Sequence, residues 1–132
     1  MKHVEVVCAI INYDNKILCM QRPDGKHKYT SFKYEFPGGK VEEGEKYNEA
    51  LMRELKEEMD YDLNINEDDF FMTITHEYPD FKITMHSFIV NASSDKFNMK
   101  EHIDFKWLDK KDLDSLDWAD ADVPIMKKLM NE

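Results

Sequence analysis

Residues 38–61 read GGKVEEGEKYNEALMRELKEEMDY, and the interpretation of the whole chain starts from this stretch. Glu54, Glu57 and Glu58 recur in it at helical spacing. Because successive helical residues advance by about 100°, the three carboxylates share one stripe of the helix surface. Like charges four residues apart destabilise an isolated helix by roughly 0.2–0.5 kcal/mol. A hard divalent cation reverses this cost, and carboxylate oxygens suit Mg²⁺ or Mn²⁺.

A second stripe of the same predicted helix is apolar and consists of Leu51, Leu55 and Met59. The helix is therefore amphipathic, with one face for the core and an acidic face at its border. An acidic face of this kind is also typical of a solvated surface helix. Lys56 and Arg53 offer ion pairs to neighbouring glutamates, which favours that simpler interpretation.

The residues before the helix favour the metal site. Gly38 and Gly39 permit backbone conformations closed to other residues, so a carbonyl can turn toward an ion and the chain can approach a phosphate. Glu45 lies eight residues before Arg53, a spacing at which an ion pair can join the loop to the helix.

This spacing resembles the signature of the Nudix hydrolase family, G-x5-E-x7-R-E-U-x-E-E-x-G-U, where U is a bulky aliphatic residue. The matching positions are Gly39, Glu45, Arg53, Glu54, Leu55, Glu57 and Glu58. The last two positions depart from it, with Asp60 in place of glycine and Tyr61 in place of the aliphatic residue. An aspartate tolerates the left-handed conformation that ends a helix. We therefore expect these departures to affect the helix exit more than the carboxylates.

The resemblance extends over nearly the whole chain. It is strongest to the nucleoside triphosphate pyrophosphohydrolases of the family, which include MutT-type 8-oxo-dGTP diphosphatases and CTP pyrophosphohydrolases. The residues that carry it outside the signature are 6–11, 35–40, 78–80, Trp107 and 121–124.

The order of the predicted elements indicates an α/β protein. Two apolar runs flank the turn residues 13–16 and predict a β-hairpin. The predicted strands are residues 4–12, 17–21, 32–36, 70–76, 81–90 and 103–108, and helices are predicted at 109–113 and 123–130 in addition to the acidic helix. Layers of this kind agree with what the resemblance implies, a Nudix-type α/β/α sandwich with a mixed β-sheet.

Composition limits the classes of partner. The 132 residues, 42% hydrophobic and 35% charged, suit one globular domain spanning residues 1–132. A formal charge of −10 argues against nucleic-acid polymers and anionic membranes, which require basic patches. No run approaches the ~20 apolar residues of a transmembrane helix. We expect a cytoplasmic protein that is a monomer or a homodimer.

Cysteines and isolated histidines are not interpreted as metal ligands. Cys8 and Cys19 lie in apolar runs, which predicts buried, reduced thiols and a reducing compartment. His76 and His86 lie singly on predicted strands and are interpreted as packing residues.

The resemblance implies three sets of site residues. The metal, Mg²⁺ with Mn²⁺ as a substitute, is expected on Glu54, Glu57, Glu58, Glu101 and the backbone of Gly38. Catalytic roles are expected for Glu54, Glu101, Arg53 and Glu45. Contacts with substrate are expected from Arg22, Phe36, Gly39, Lys40, Tyr78 and Asp122.

Four of these positions have equally plain structural interpretations. Arg22 also fits a surface arginine at a strand end, and Phe36 fits a core aromatic. Glu101 fits a solvated loop carboxylate. Asp122, where MutT-type enzymes have an asparagine that reads the base, also fits a helix cap. An ionised aspartate only accepts hydrogen bonds, so it favours base edges that offer donors, such as those of cytosine and guanine.

The function implied by the resemblance is metal-dependent hydrolysis of a nucleoside triphosphate to a nucleoside monophosphate and pyrophosphate. CTP, dCTP and 8-oxo-dGTP are the expected substrates, which places the enzyme in the sanitation of nucleotide pools. Two alternatives stay open: a hydrolase of another nucleoside diphosphate derivative, such as ADP-ribose or a dinucleoside polyphosphate, and a nucleotide-binding module without turnover.

Overall fold

The computed structural model describes residues 1–132 and contains seven strands and two α-helices. The strands are β1 (Lys2–Tyr13), β2 (Lys16–Gln21), β3 (Tyr34–Glu35), β4 (Gly38–Lys40), β5 (Phe70–Glu77), β6 (Phe81–Asn91) and β7 (Asp104–Leu108). The helices are α1 (Tyr47–Met59) and α2 (Val123–Met130). Short 3-10 turns cover Glu67–Asp69, Lys110–Ser115 and Asp120–Asp122.

All seven strands belong to one mixed sheet. Strand β1 runs parallel to β6 from the Lys2–Phe81 pair to the Asn12–Asn91 pair. Strands β5 and β6 pair antiparallel, and so do β1 and β4. Strand β2 pairs antiparallel with β3 and with β7. The mixed sheet predicted from the sequence is confirmed.

The predicted hairpin between β1 and β2 is also confirmed. Its turn residues Asp14 and Asn15 have φ of 52° and 61°. Two successive residues with positive φ are typical of the tight turn whose twist matches a β-hairpin, and Asp and Asn tolerate this conformation better than most side chains.

Apolar side chains form one core on each face of the sheet. On one face Ile10 and Ile125 belong to a buried cluster that packs under α2. On the other face Ile11 belongs to the cluster that contains Leu51 and Leu55 of α1. Because both faces of β1 are buried, its central residues read as a continuous apolar run instead of an alternating one. The layers form the predicted α/β/α sandwich.

Most strand boundaries differ from the sequence prediction by one or two residues, β4 was not predicted as a strand, and three other segments differ more clearly. The strand expected at residues 32–36 is reduced to Tyr34–Glu35, because Phe32 has φ of 64° and leaves the extended conformation. The short helix expected at 109–113 is a 3-10 turn at Lys110–Ser115. The polar connection at 63–69 contains a further 3-10 turn at Glu67–Asp69.

Helix α1 ends as the sequence predicts. Asp60 has φ of 50° and ψ of 32°, the left-handed conformation in which the family signature has glycine. Its N–H donates to the Lys56 carbonyl at 3.1 Å, and the Tyr61 N–H donates to the Leu55 carbonyl at 3.2 Å. These bonds satisfy two carbonyls of the last turn, so the aspartate performs the capping task of glycine.

Both cysteines are buried and unpaired, as predicted. Burial raises the pKa of Cys8 well above its usual range and that of Cys19 to about 12. Both thiols therefore stay protonated and act as small apolar side chains. No helix combines the length and the apolar character that a membrane span requires.

The close approach of the Gly38 backbone to β1 generates a stability prediction. A Cβ atom on Gly38 would lie 1.9 Å from the Val7 carbonyl oxygen and 2.7 Å from the Cys8 Cα. Because both obstacles are backbone atoms of a central strand, we expect Gly38→Ala to lower the free energy of unfolding by at least about 2 kcal/mol. Urea unfolding monitored by circular dichroism measures the loss.

Gly25→Ala is the matched control, since the nearest obstacle to a Cβ there is the Pro23 carbonyl oxygen at 4.0 Å. Equal urea midpoints for the two variants would contradict the close packing of β4 on β1.

Candidate active site

One cleft of ≈ 480 Å³ lies where the start of β4, one face of α1 and the loops near residues 101 and 121 meet. This volume is within the range of small-molecule sites. Most of the predicted site residues line it. These are Arg22, Phe36, Gly38, Gly39, Lys40, Glu54, Glu58, Tyr78, Glu101 and Asp122. Glu45, Arg53 and Glu57 do not line it.

A larger concave region of ≈ 590 Å³ lies around residues 41–48. It includes Glu42, Glu43 and Glu45 but none of Glu54, Glu58 or Glu101. Since it lacks the carboxylates of the helix stripe, we place the site in the first cleft.

Arg53 joins the loop after β4 to helix α1. Its Nε donates to Glu45 Oε2 at 2.7 Å and its NH2 group donates to Glu45 Oε1 at 2.9 Å. The same NH2 group donates to the Lys40 carbonyl at 3.0 Å. The ion pair predicted from the sequence spacing is confirmed, and its two-point geometry is the strong form of an arginine–carboxylate contact.

The remaining nitrogen of Arg53 reaches the acidic stripe. Its NH1 group donates to Glu54 Oε1 at 3.0 Å and to Glu57 Oε2 at 3.2 Å. Glu54 is mostly buried, whereas 61% of the Glu57 side chain is exposed. Glu57 therefore lies at the rim of the stripe, outside the cleft, and shares a partner with Glu54.

The side chain of Glu54 occupies space that only a glycine at position 39 leaves open. A Cβ atom on Gly39 would lie 2.3 Å from both Cδ and Oε2 of Glu54. The glycine of the signature therefore lets a buried carboxylate pack directly against β4.

Among the carboxylates on the acidic stripe of α1, Glu58 has the largest shift in pKa. Burial raises its pKa to about 8, together with the neighbouring carboxylate of Glu54 and the negative charges of Glu101 and Glu35. Burial and like charges both disfavour the ionised form. The cleft around Glu58 therefore contains negative charge that no cationic side chain in contact with Glu58 neutralises.

This donor set suits a hard divalent cation. All the side-chain donors are carboxylate oxygens, the type that Mg²⁺ and Mn²⁺ prefer, and a cation would offset the surplus charge around Glu58. No three of the side chains converge closely enough to hold an ion in the arrangement that the structure shows. Glutamate has rotatable bonds between Cα and its carboxylate, so the position of each carboxylate can change without movement of α1.

Asp122 lines the same cleft and is buried. It occupies the residue before α2 but makes no capping hydrogen bond with its side chain. Its Oδ2 instead accepts from the Phe36 N–H at 2.9 Å. The interpretation of Asp122 as a side-chain helix cap is therefore wrong, because a long-range contact with β3 and the residue after it takes the carboxyl group.

The expectation of an ionised Asp122 is also corrected. Burial raises its pKa well above the usual range, and the negative charge of Glu35 raises it further. A neutral carboxyl group both donates and accepts, as the asparagine of MutT-type relatives does. Asp122 can therefore present a donor as well as an acceptor to the cleft.

Phe36 has both of the roles considered for it. It is buried, and its ring lies 4.6 Å from that of Trp118, centroid to centroid. It also lines the cleft beside Asp122. The ring is thus a core residue with one part turned toward the site.

A partly buried ionic cluster at the cleft was not predicted from the sequence. Glu35 Oε1 accepts from Arg22 NH1 at 3.1 Å, and Glu35 Oε2 lies 2.8 Å from His102 Nε2. Arg22, for which contact with substrate was expected, shares its charge with Glu35. The cluster depends on the pairing of β2 with β3 and on the return of the chain at residue 102, and neither is a local sequence pattern.

Aromatic side chains form a stacked group beside the cleft, which is lined by two of its members, His27 and Tyr78. Tyr29 and Tyr78 stack with centroids 5.1 Å apart, and His27 stacks on Tyr29 at 5.0 Å. The Tyr78 hydroxyl accepts from the Ala121 N–H at 3.0 Å. Of these, the sequence indicated only Tyr78. The contact with Ala121 joins the group to the turn that bears Asp122.

A model of the NUDIX domain matches residues 1–129 of the chain. The chain belongs to the Nudix hydrolase family. Among curated relatives, the CTP pyrophosphohydrolase of Escherichia coli (strain K12) is 33% identical over 130 residues, covering 98% of this chain and 93% of that protein. The 8-oxo-dGTP diphosphatase of the same organism is 32% identical over 130 residues and covers 98% of each.

A solved structure supports the same assignment. The solution structure of MutT, a Nudix hydrolase from methicillin-resistant Staphylococcus aureus 252, superimposes with a TM-score of 0.75 at 39% identity, covering 99% of this chain and 98% of that one. The fold is therefore the MutT-like Nudix fold, and the protein is a Nudix hydrolase.

The Arg53–Glu45 contact generates a prediction about pH. The hydrogen bond with Arg53 is the main cause that lowers the pKa of Glu45 from 4.5 to about 2. Between these values the unfolded chain binds the proton more readily than the native protein. The stabilisation by Glu45 is thus complete above pH 4.5 and is lost as the pH falls through about 2. We expect Glu45→Gln to remove this component of the acid dependence, measured by urea unfolding across that interval.

Glu43→Gln is the control, because Glu43 is an exposed neighbour without an ion pair to Arg53. The interpretation fails if wild type and Glu45→Gln lose stability in parallel as the pH falls.

Proposed function

We propose that this Nudix hydrolase is a divalent-metal-dependent nucleoside triphosphate pyrophosphohydrolase. One observation supports this above all: a single cleft is lined both by the carboxylates Glu54, Glu58 and Glu101 and by Phe36 and Asp122. The carboxylates suit a metal-bound phosphate chain. The aromatic ring and the buried carboxyl group suit a base. The two curated relatives described above are named for substrates of this class.

Mg²⁺, or Mn²⁺ in its place, would be held by Glu54, Glu57, Glu58, Glu101 and the Gly38 carbonyl. When bound, the metal would neutralise phosphate charge and lower the pKa of a water molecule. Arg53 NH1 donates to both Glu54 and Glu57. To bind the metal, Glu57 would give up its hydrogen bond with Arg53.

The protein's own groups orient the reactants and move the proton. Hydrolysis adds one water molecule across a phosphoric anhydride: an oxygen–phosphorus bond forms, the anhydride bond breaks, and a carboxylate takes the proton of the water. Glu54 and Glu101 are the two candidates for this acceptor, because both line the cleft. Arg53 and Glu45 do not line it and act by fixing the loop and the helix. Lys40 and Arg22 supply positive charge for the phosphates.

For the base, we propose CTP, dCTP or 8-oxo-dGTP. Burial and the negative charge of Glu35 raise the pKa of Asp122, which favours the neutral form, and in that form its free oxygen can donate to an acceptor or accept from an amino group. This pattern is compatible with the Watson–Crick edge of cytosine and with that of an oxidised guanine. Phe36 and the group around Tyr78 supply apolar surface for the ring.

A nucleotide panel tests the proposal. Pyrophosphate release is measured with Mg²⁺ and with Mn²⁺ on CTP, dCTP, 8-oxo-dGTP, ATP, ADP-ribose and a dinucleoside polyphosphate. We expect release of pyrophosphate and a nucleoside monophosphate from the cytosine or oxidised guanine nucleotides, and none after chelation of the metal. Binding of a nucleotide without release of pyrophosphate would contradict the proposed enzymatic activity. Preferred cleavage of ADP-ribose would contradict the proposed substrate class.

Glu58→Gln should lower kcat on the best substrate of that panel at least a hundredfold, about the effect of removing a major electrostatic group from an active site. The amide resembles the protonated form of Glu58, which burial and neighbouring carboxylates favour, so we expect no loss of thermal stability. Glu43→Gln, outside the cleft, is the control. Retention of full activity by Glu58→Gln would remove the carboxylate from the proposed machinery.

Asp122→Asn tests the assignment of the base-reading group. The amide oxygen can still accept from the Phe36 N–H, and the amide nitrogen keeps a donor in the cleft. We therefore expect kcat/KM to stay within about tenfold of wild type, and Asp122→Leu, of similar size without either group, to lose about a hundredfold, which corresponds to an unpaired buried polar contact. Equal losses for the two variants would show that hydrogen bonding by residue 122 is not the cause.

A further inference from the structure

Both residues that depart from the Nudix signature contact the same segment of the chain. Asp60 and Tyr61 follow directly after α1, and residues 92–103, here named the Glu101 loop, run from the end of β6 to the start of β7. This loop lies beside the last turn of α1 and carries Glu101 into the cleft.

The carboxylate of Asp60 binds two side chains of the Glu101 loop. Asn98 Nδ2 donates to Asp60 Oδ2 at 2.6 Å, and Lys100 Nζ donates to Asp60 Oδ1 at 3.0 Å. Backbone groups at the end of the helix add two bonds: the Met59 carbonyl accepts from the Asn98 N–H at 2.8 Å, and the Glu57 carbonyl accepts from Lys100 Nζ at 3.2 Å. Each oxygen of the Asp60 carboxylate therefore has its own partner on the loop.

Tyr61 contacts the same loop closer to its start. Its hydroxyl donates to the Ser94 carbonyl, and its ring stacks on Phe97 with centroids 5.5 Å apart. An aliphatic residue, which the family signature has here, would supply neither the hydrogen bond nor the ring contact. The two departures thus make four side-chain contacts with one loop.

The end of the loop nearest β7 is anchored to the sheet. His102 Nε2 lies 2.8 Å from Glu35 Oε2, and the Ile103 N–H donates to the Gln21 carbonyl at 3.0 Å. Glu101 stands between this anchor and the contacts of Lys100 with α1. Its side chain enters the cleft from a short segment that is held on both sides.

The backbone conformation of Asp60 indicates that the contacts of its side chain, and not helix capping, account for an aspartate at this position. The residue has φ of 50°, where glycine is free of strain and an aspartate is not. A helix end alone would be served better by glycine. Its carboxylate gains the contacts with Asn98 and Lys100, which glycine cannot make.

We infer that Asp60 and Tyr61 are positioning residues that hold the Glu101 loop against the end of α1 and so present Glu101 to the other carboxylates. The inference rests on the proposed function, in which Glu101 is a metal ligand or the proton acceptor. It explains both departures from the signature with one role.

Asp60→Gly separates positioning from helix capping, because glycine restores the preferred capping residue and deletes the carboxylate. We expect the melting temperature to stay equal or to rise. In metal-free protein, amide hydrogen exchange at residues 98–102 should become about tenfold faster, while exchange in the core of β1 stays unchanged. Mn²⁺ affinity and kcat should fall by about tenfold to a hundredfold, the effect of losing a residue that orients a ligand.

Three further variants complete the test. Lys100→Ala should reproduce the faster exchange and the loss of kcat. Asp60→Asn keeps an acceptor for Lys100 and tolerates the left-handed conformation, so it should recover most of the wild-type kcat. Lys16→Ala removes an exposed ion pair with Asp109, where the side chains are 46% and 43% exposed, against 45% and 48% for Lys100 and Asp60. This matched control should change none of the readouts.

The inference is overturned if Asp60→Gly leaves exchange at residues 98–102 unchanged, or if exchange rises while Mn²⁺ affinity and kcat do not fall. Glu101→Gln distinguishes failure of the underlying proposal. Full activity of Glu101→Gln would overturn the role of Glu101 and with it the positioning role. An inactive Glu101→Gln beside a fully active Asp60→Gly would overturn the positioning role alone.

Discussion

The arrangement of the site depends on the guanidinium of Arg53. A planar group with five donors reaches the Glu45 carboxylate, the Lys40 carbonyl and the carboxylates of Glu54 and Glu57 at once. Lys40 belongs to β4, which pairs with the central strand β1, so this one cation joins the sheet, the loop and the helix. A lysine has one charged nitrogen and cannot span these acceptors in fixed geometry. The Arg53 side chain therefore fixes the distance between the carboxylates of α1 and the glycine-containing strand β4.

The acidic residues in and beside the cleft differ in pKa because their surroundings are of three kinds. Glu45 is ionised by its contact with Arg53, which lowers its pKa. Asp122 is buried near another carboxylate, so its pKa rises and it behaves as a neutral polar group. Glu58 is buried among carboxylates, and no cationic side chain contacts it. Groups of one chemical type thus differ in charge because their surroundings differ.

Local sequence patterns predicted the elements well and the contacts between them less well. The carboxylate stripe, the hairpin turn and the left-handed Asp60 follow from spacing and residue type over a few positions, so the sequence shows them. The cluster of Arg22, Glu35 and His102 needs strand pairing and a loop that returns across more than sixty positions. The Asp122 contact with Phe36 is of the same kind, which is why the helix-cap interpretation seemed sufficient. The burial of a carboxyl group, and therefore its charge, depends on packing between distant segments. A short stretch of sequence does not specify that packing.

A signature motif specifies only the part of a site that lies within one stretch of chain. Here the stretch from Gly39 to Glu58 supplies the carboxylates and their arginine, while Glu101, Asp122 and Phe36 arrive from other segments. Each of these segments must be held at a fixed distance from the motif, and residues that do not match the signature can form the contacts that hold it. Asp60 and Tyr61 illustrate this, because they contact residues 94–100 and not the cleft itself. Departures from a family signature at the end of its helix are therefore informative about the neighbouring loop, since that loop is the structure they touch.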